Sequence, residues 1–393
     1  MNRSHFLAVA VAGMAATALR GTNASGRLRV AVIGHTGRGN YGHGLDTMWL
    51  RLPETQLVGV ADPDDDGLAA VRERLGVSQG FADYRRMLAT LKPDIVAIGP
   101  RHVDQHRDMI LAAVAAGVAG IYIEKPLCRT PAEADEIVNA CEQRGVRVAV
   151  GHRNRWHPVL PVIHRMISDG KIGRVLELRA RGKEDRRGGA LDLWVLGSHV
   201  LNLATVFAGR PLACASTVSQ AGSPVTRSDV VDGAEGLGAL AGDEVHARFE
   251  MESGVPLFFD SVKGVGNRAT GFGLQIVGTA GILDLRADTD PLANLLAGSP
   301  FPPDDKPRTW TPVSTAGVGQ PEPNRELGEL LAAHVISGRD LIAAIREGRE
   351  TLCPVRAGAQ TVEMVNAVFE SHRLGGQRVL LPLKTRVNPL SLL

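Results

Sequence analysis

The chain has 393 residues, of which 44% are hydrophobic and 22% charged, with 45 glycines; that length accommodates two domains and that composition an ordinary globular core with many turns. Lys and Arg number 44 against 42 Asp and Glu, and no basic stripe with interleaved aromatics occurs, which argues against nucleic acid as a partner. Cys128, Cys141, Cys214 and Cys353 show no metal-ligand spacing, so neither a metal site nor a disulfide framework is expected.

Residues 1–26 read as a leader rather than as fold. Arg3 precedes the apolar run FLAVAVAGMAATAL, 6–19, and Ala16-Thr17-Ala18 offers a small-residue cleavage site, with Asn23-Ala24-Ser25 as a second choice. RSHFLA, 3–8, resembles a twin-arginine export signal with Ser4 where the second arginine belongs. Export to the periplasm or exterior, by the Sec or a degenerate twin-arginine route, is the expectation; a frayed apolar start on a cytoplasmic protein is the alternative. Beyond this segment no apolar run of about 18 residues occurs, so no stable membrane span is expected.

The region 27–151 alternates short apolar strands with helices. Val30-Ala31-Val32-Ile33 reads as a buried strand ending at Gly34, followed by Gly37, Gly39, Gly42 and Gly44. Glycines there let the backbone turn tightly and approach a pyrophosphate at the start of the next helix. The spacing departs from GxGxxG directly after the strand; that pattern appears three residues on, from Gly37 to Gly42. The second strand, 56–61, ends in Asp62, placed to accept from an adenosine ribose 2′-hydroxyl and to repel a 2′-phosphate, which favours NAD over NADP. A third strand, PDIVAIGP, 93–100, ends in Pro100, and helix 108–116 leads to GIYIEKPL, 120–127. Pro126 forces the chain out of the sheet, so Glu124 and Lys125 stand at the carboxyl end of a buried strand, where open α/β sheets bind ligands. A lysine held there shifts its pKa readily and suits proton transfer. Helix 131–144 and strand 146–152 complete a doubly wound parallel sheet. Gly34, Thr36, Gly37, Arg38, Gly39, Asp62, Pro100, Glu124 and Lys125 are the candidate cofactor contacts.

From 152 the character changes. GHRNRWHP, 151–158, brings Arg155 and Trp156, and a charged glycine-rich loop holds Lys183, Asp185, Arg187 and Asp192, with His199 following on a helix. Arg155, Trp156, Lys183, Arg187 and Asp192 lie where substrate contacts are expected, or on a solvated loop face. Residues 211–290 suggest an antiparallel or mixed sheet, 298–325 a long Pro/Gly/Asp-rich loop, and 328–348 and 355–374 two closing helices.

With the glycine loop, Asp62, Glu124-Lys125-Pro126 and His199 in view, the chain resembles the glucose–fructose oxidoreductase / inositol dehydrogenase / rhizopine catabolism (Gfo/Idh/MocA) family from about 28 to 384. The resemblance implies a Rossmann domain over 27–151 and a second, open-sheet domain over 152–393 with helices on one face. It implies NAD as cofactor, a sugar or polyol as substrate, and Lys125 and His199 as the proton-handling pair; the broad open sheet of the second domain would give a homo-oligomer, dimer or tetramer, a face to use. It also puts Glu124 near the nicotinamide ribose. Many members carry an Asp four residues before that histidine; here the position is Val195, and Asp192 stands either as its substitute or as a substrate ligand. The expected activity is oxidation of a CH–OH group by NAD. Two alternatives are glycosidic cleavage by transient oxidation and non-catalytic binding on the same scaffold.

Overall fold

The computed structural model describes residues 26–266, 272–301 and 307–393; apart from Gly26, the expected leader lies outside them. The first sheet contains β1 (Leu28–Ile33), β2 (Thr55–Ala61), β3 (Gly80–Phe81), β4 (Ile95–Ile98), β5 (Gly120–Ile123) and β6 (Arg147–Val150). All six are parallel, in the order β3-β2-β1-β4-β5-β6. Helices α1 (Asp65–Leu75), α2 (Tyr84–Leu91), α3 (His106–Ala115) and α4 (Pro131–Arg144) flank the sheet, and the later helix Val335–Glu347 packs on β5 and β6; with both faces covered, β4 and β5 are buried throughout. Local chemistry sets the helix ends. Asp64 and Thr130 accept from the first-turn amides of α1 and α4, and Gly76 and Gly145 close them in the left-handed conformation. The strand order reverses between β1 and β4, opening a crevice at their carboxyl ends.

One expected element is replaced. The glycine loop runs not into an α-helix but through turns to a short 3₁₀ helix, Thr47–Arg51. Asn40, Gly42 and Gly44 all have positive φ, and a run of left-handed residues cannot propagate an α-helix.

The second sheet contains β7 (Val175–Arg181), β8 (Pro211–Gln220), β9 (Glu244–Met251), β10 (Leu257–Val262), β11 (Gly273–Gly278), β12 (Gly281–Arg286), β13 (Ala293–Ala297) and β14 (Thr311–Ser314). They lie in the order β14-β13-β12-β11-β7-β10-β9-β8. Every pair is antiparallel except β7 and β10. In β9, Val245, Ala247, Phe249 and Met251 are buried, while His246 and Arg248 face out, the alternation of a sheet with one covered face. β14 lies within the stretch expected to be loop; it pairs with β13 on one side and with the two-residue strand Gly317–Val318 on the other.

α5 (Leu160–Ser168), α6 (Ala190–Ala208), α7 (Leu327–Ala332), α8 (Val335–Glu347) and α9 (Val355–Arg373) complete the structure. Among the described residues α6 is the one helix long and apolar enough to cross a membrane; two-thirds of its apolar window is buried in this fold, where it acts as a core helix. The helix expected over 328–348 is two helices, broken at His334, whose φ is +57°. The last helix packs on β8, α6 and α4. Beyond it the tail returns to the first domain, where the Arg386 carbonyl accepts from Ala132 N at 2.9 Å and its guanidinium meets Asp135 at 2.6 Å.

Candidate active site

The loop after β1 is pressed against its neighbours at three of its glycines, Gly34, Gly39 and Gly42. A Cβ on Gly34 would fall 2.0 Å from the Tyr41 ring, and one on Gly39 2.2 Å from the Arg101 amide nitrogen. One on Gly42 would fall 2.5 Å from Glu124 Oε2. Gly39, at φ +89°, is also in a conformation that L side chains avoid. The loop therefore touches the ends of both β4 and β5, and needs bare backbone to do so.

Asp62 does not stand ready for a ribose. It is fully buried, and four donors of its own chain reach its carboxylate. Thr36 Oγ1 donates at 2.7 Å, Tyr41 Oη at 2.6 Å, Asp64 N at 3.0 Å and Thr36 N at 3.1 Å. A carboxylate offers about four acceptor sites, so the expected bond to the 2′-hydroxyl has no lone pair left. Thr36 is thereby the latch of Asp62 rather than a free contact. Arg38 is held by Asp104 at 2.6 Å, and the Pro100 carbonyl accepts from His106 Nε2 at 2.7 Å. Beside Asp62 lies a cavity of about 320 Å³ lined by Gly34, His35, Asp62, Asp83, Tyr84 and Met109, among others, with no lysine or arginine in its wall.

A second cavity, of about 240 Å³, sits where β5 ends. Lys125 is 6% exposed; its Nζ donates at 2.7 Å to the Val195 carbonyl. Residues 193–197 form a π-turn within α6, a widening of the helix often found at sites of function. Valine thus supplies, from its backbone, the acceptor that its side chain lacks. Burial lowers the Lys125 pKa, against the raising charge of Glu124. Burial pushes the Glu124 carboxyl up, but the hydrogen bond from His43, 3.1 Å away, and the charges of His43 and Lys125 outweigh it and hold the group at about 2.

His199 lines the same cavity as Lys125, and burial followed by the Lys125 charge drives its pKa well down, so the ring is neutral near pH 7. His152 meets it edge to face, ring centroids 5.2 Å apart. Neither nitrogen of His152 has a hydrogen-bond partner among the described residues.

Lys183 and Arg187 line this cavity; three other expected contacts do not. Arg155 spends its guanidinium on the Leu352 and Asn202 carbonyls and Thr205 Oγ1, at 2.8–3.0 Å, because it fills the seam between α6 and the start of α9. Trp156 is buried, its Nε1 donating to Asp340 at 2.8 Å. Asp192 does not line the cavity: Ser261 Oγ at 2.6 Å and Glu184 N at 3.0 Å donate to its Oδ2, anchoring the start of α6 to β10, while Oδ1 is buried without a hydrogen-bond partner among the described residues. His43, Arg153 and His334 also line the cavity and were not picked out from sequence, where isolated basic residues in loops carry no spacing signal.

Residues 28–152 match the family model described as "Oxidoreductase family, NAD-binding Rossmann fold" (GFO_IDH_MocA). The chain's first domain belongs to the Gfo/Idh/MocA family. Among curated relatives, D-apiose dehydrogenase of Paraburkholderia graminis is 29% identical over 192 residues, 46% of this chain and 51% of that protein. Levoglucosan dehydrogenase of Pseudarthrobacter phenanthrenivorans is 29% identical over 135 residues, 34% of this chain and 33% of that protein. The matches therefore span about half or less of these relatives. Over the whole fold, a solved levoglucosan dehydrogenase in complex with NADH and L-sorbose superposes with a TM-score of 0.70 at 21% identity, covering 91% of this chain and 99% of that one. This likeness fixes the fold of both domains. The residues present suit the Gfo/Idh/MocA cofactor: bare glycine backbone at the β1–β4 crevice, a cavity on its Asp62 side, and a second cavity at Lys125.

Proposed function

We propose that the chain is an NAD-dependent oxidoreductase acting on a CH–OH group of a sugar or polyol. The observation that carries this reading is that Lys125 and His199, from different domains, line one cavity, and that Glu124 of the same cavity wall abuts Gly42 of the glycine loop. Bound nicotinamide would supply the hydride acceptor. In this reading Lys125 Nζ, steadied by the Val195 carbonyl, orients the reacting hydroxyl. The neutral His199 ring takes the hydroxyl proton as the oxidation proceeds, a task that needs an unprotonated base near neutral pH. Glu124, ionised because of His43 and Lys125, balances the lysine. The cavity beside Asp62, acidic and without a cationic side chain, supports NAD over NADP, since a 2′-phosphate would meet two carboxylates and no counter-charge.

The same reading places the mature protein outside the cytoplasm, supported by the Arg3 and 6–19 leader pattern, with NAD retained from folding because free cofactor is scarce there. It also makes the protein a homo-oligomer through the open face of the second sheet. Mass and absorbance analysis of the purified chain for NAD(H), followed by a sugar and polyol panel read by nicotinamide reduction, tests the activity. A protein that neither carries nor takes up NAD, and oxidises nothing on the panel, would refute it.

A further inference from the structure

The wall of the substrate cavity carries an excess of positive charge. Its ionic members are Lys125, Arg153, Lys183 and Arg187 against Glu124 and Asp288. Glu124 is taken up by Lys125 and His43. Arg187 is paired with Asp185, which is outside the lining. Arg153 and Lys183 remain, and both converge on a single carboxylate: Arg153 Nη2 lies 3.3 Å from Asp288 Oδ1 and Lys183 Nζ 2.5 Å from Asp288 Oδ2. One anion thus serves two cations. All three side chains are about one-third exposed, at 32%, 40% and 35% for Arg153, Lys183 and Asp288, so a solute entering the cavity can reach them. The Lys183 ammonium also stands 6.0 Å from the centroid of the Phe272 ring, an attraction that favours the charged amine in this position.

A neutral sugar offers these cations only hydroxyl acceptors, and would leave Lys183 and Arg153 sharing Asp288 as their one counter-charge. A second carboxylate would give each cation its own partner, through charge-assisted bonds stronger than those to hydroxyls. We infer that the substrate is a sugar acid, whose carboxylate binds between Arg153 and Lys183 while a hydroxyl is presented to Lys125 and His199. The inference rests on the dehydrogenase reading for the role of the second half of the site, but the carboxylate contact is independent of it. The planar carboxylate of Asp288, already held by both cations, marks the geometry of the group they accept.

The test uses the full chain with NAD and matched pairs: D-glucuronate with D-glucose, D-galacturonate with D-galactose, and D-gluconate with sorbitol. Turnover is measured for each, and thermal stabilisation by each in the presence of NADH. At least one acid should exceed its neutral partner in kcat/KM by roughly tenfold to a hundredfold, the worth of a charge-assisted hydrogen bond, and the advantage should shrink as salt is raised. Lys183→Met should raise KM for the acid at least about tenfold more than it raises that for its neutral partner. Arg153→Gln should do the same. Equal or poorer turnover and stabilisation by all the acids, or a Lys183→Met effect equal for acid and neutral partner, would overturn the inference. A preference for glucose 6-phosphate over every acid would overturn the assignment to a carboxylate. Efficient oxidation of neutral sugars alone would remove this inference and keep the dehydrogenase reading. Lys183-dependent binding of an acid to a protein that has no affinity for NAD would do the reverse.

Discussion

Tyr122 Oη lies 2.7 Å from His334 Nδ1, joining the buried strand β5 to the break between α7 and α8. The protons in this contact can be assigned by counting donors. Ser337 Oγ has one hydrogen and gives it to the His334 carbonyl at 2.9 Å, so it accepts from Tyr122 at 2.7 Å. The phenol's single hydrogen is then used, and it must accept from His334 Nδ1–H. The other ring nitrogen, Nε2, is left as an acceptor on a residue that lines the same cavity as Lys125 and His199. Tyr122→Phe keeps the ring and removes this ring of bonds. It should destabilise the protein by about 1–3 kcal/mol, the cost of orphaning buried polar groups, in denaturant titration, and should raise KM by loosening His334.

Removing Lys125 tests the chemistry directly. Lys125→Met fits the buried channel of the side chain but cannot hold or move a proton. We expect kcat/KM to fall by about a hundredfold or more, the usual worth of a positioned proton-transfer group. NAD affinity, measured by fluorescence titration, should change far less. His199→Asn should lower kcat to a similar degree with the fold intact by circular dichroism.

The glycine loop makes a steric prediction. Gly39→Ala puts a methyl group 2.2 Å from the Arg101 amide nitrogen and strains a φ of +89°, so the loop must shift and NAD binding should weaken at least about tenfold, for ~1.4 kcal/mol of lost complementarity. Gly170→Ala is the control. Its φ is +71° but an added Cβ meets nothing within 4 Å, so it should cost about 1 kcal/mol of stability and leave NAD affinity unchanged.

Acid should unfold this protein earlier than its near-neutral net charge suggests. Burial and then the Lys125 charge hold His152 at about 3; burial, only partly offset by the Glu124 charge, holds His334 at about 4, both from an ordinary 6.5. The unfolded chain therefore takes up protons first as pH falls. Stability present above pH 6.5 is lost progressively from about 6.5 down to about 4 for His334 and about 3 for His152, and the depressed Glu124 adds a further loss from about 4.5 to 2. Scanning calorimetry should show Tm nearly level above pH 7 and falling by several degrees, roughly 5 °C or more, by pH 5. A level Tm down to pH 5 would contradict this assignment.

What the sequence revealed, and what it hid, divides by range. The strands around Ile95 and Ile121 were legible because a sheet covered on both faces demands unbroken apolar runs, and Lys125 because Pro126 marks where such a strand must stop. Asp62 was placed correctly at the end of β2, yet its partners were invisible, since Tyr41 and Thr36 reach it from another loop. Arg155, Trp156 and Asp192 carry polar groups of the kind that bind sugars; only the fold reveals that other partners had already claimed them. The break at His334 left no trace, because LLAAHVISG contains no proline and its glycine lies past the break. Nor could sequence show that the Val195 carbonyl would accept from Lys125.

The returning tail has a mechanical consequence. The chain crosses from the first domain to the second after β6, and the contacts of Arg386 with Ala132 and Asp135 tie the far end back. The last helix rests on α4 of the first domain as well as on β8, so the domains are joined at the crossover, along that helix and at the tail. A motion that parted them there would lose the packing together with the Arg386 bonds, whereas Lys183, Arg153 and Asp288, each about one-third exposed, can turn without that loss.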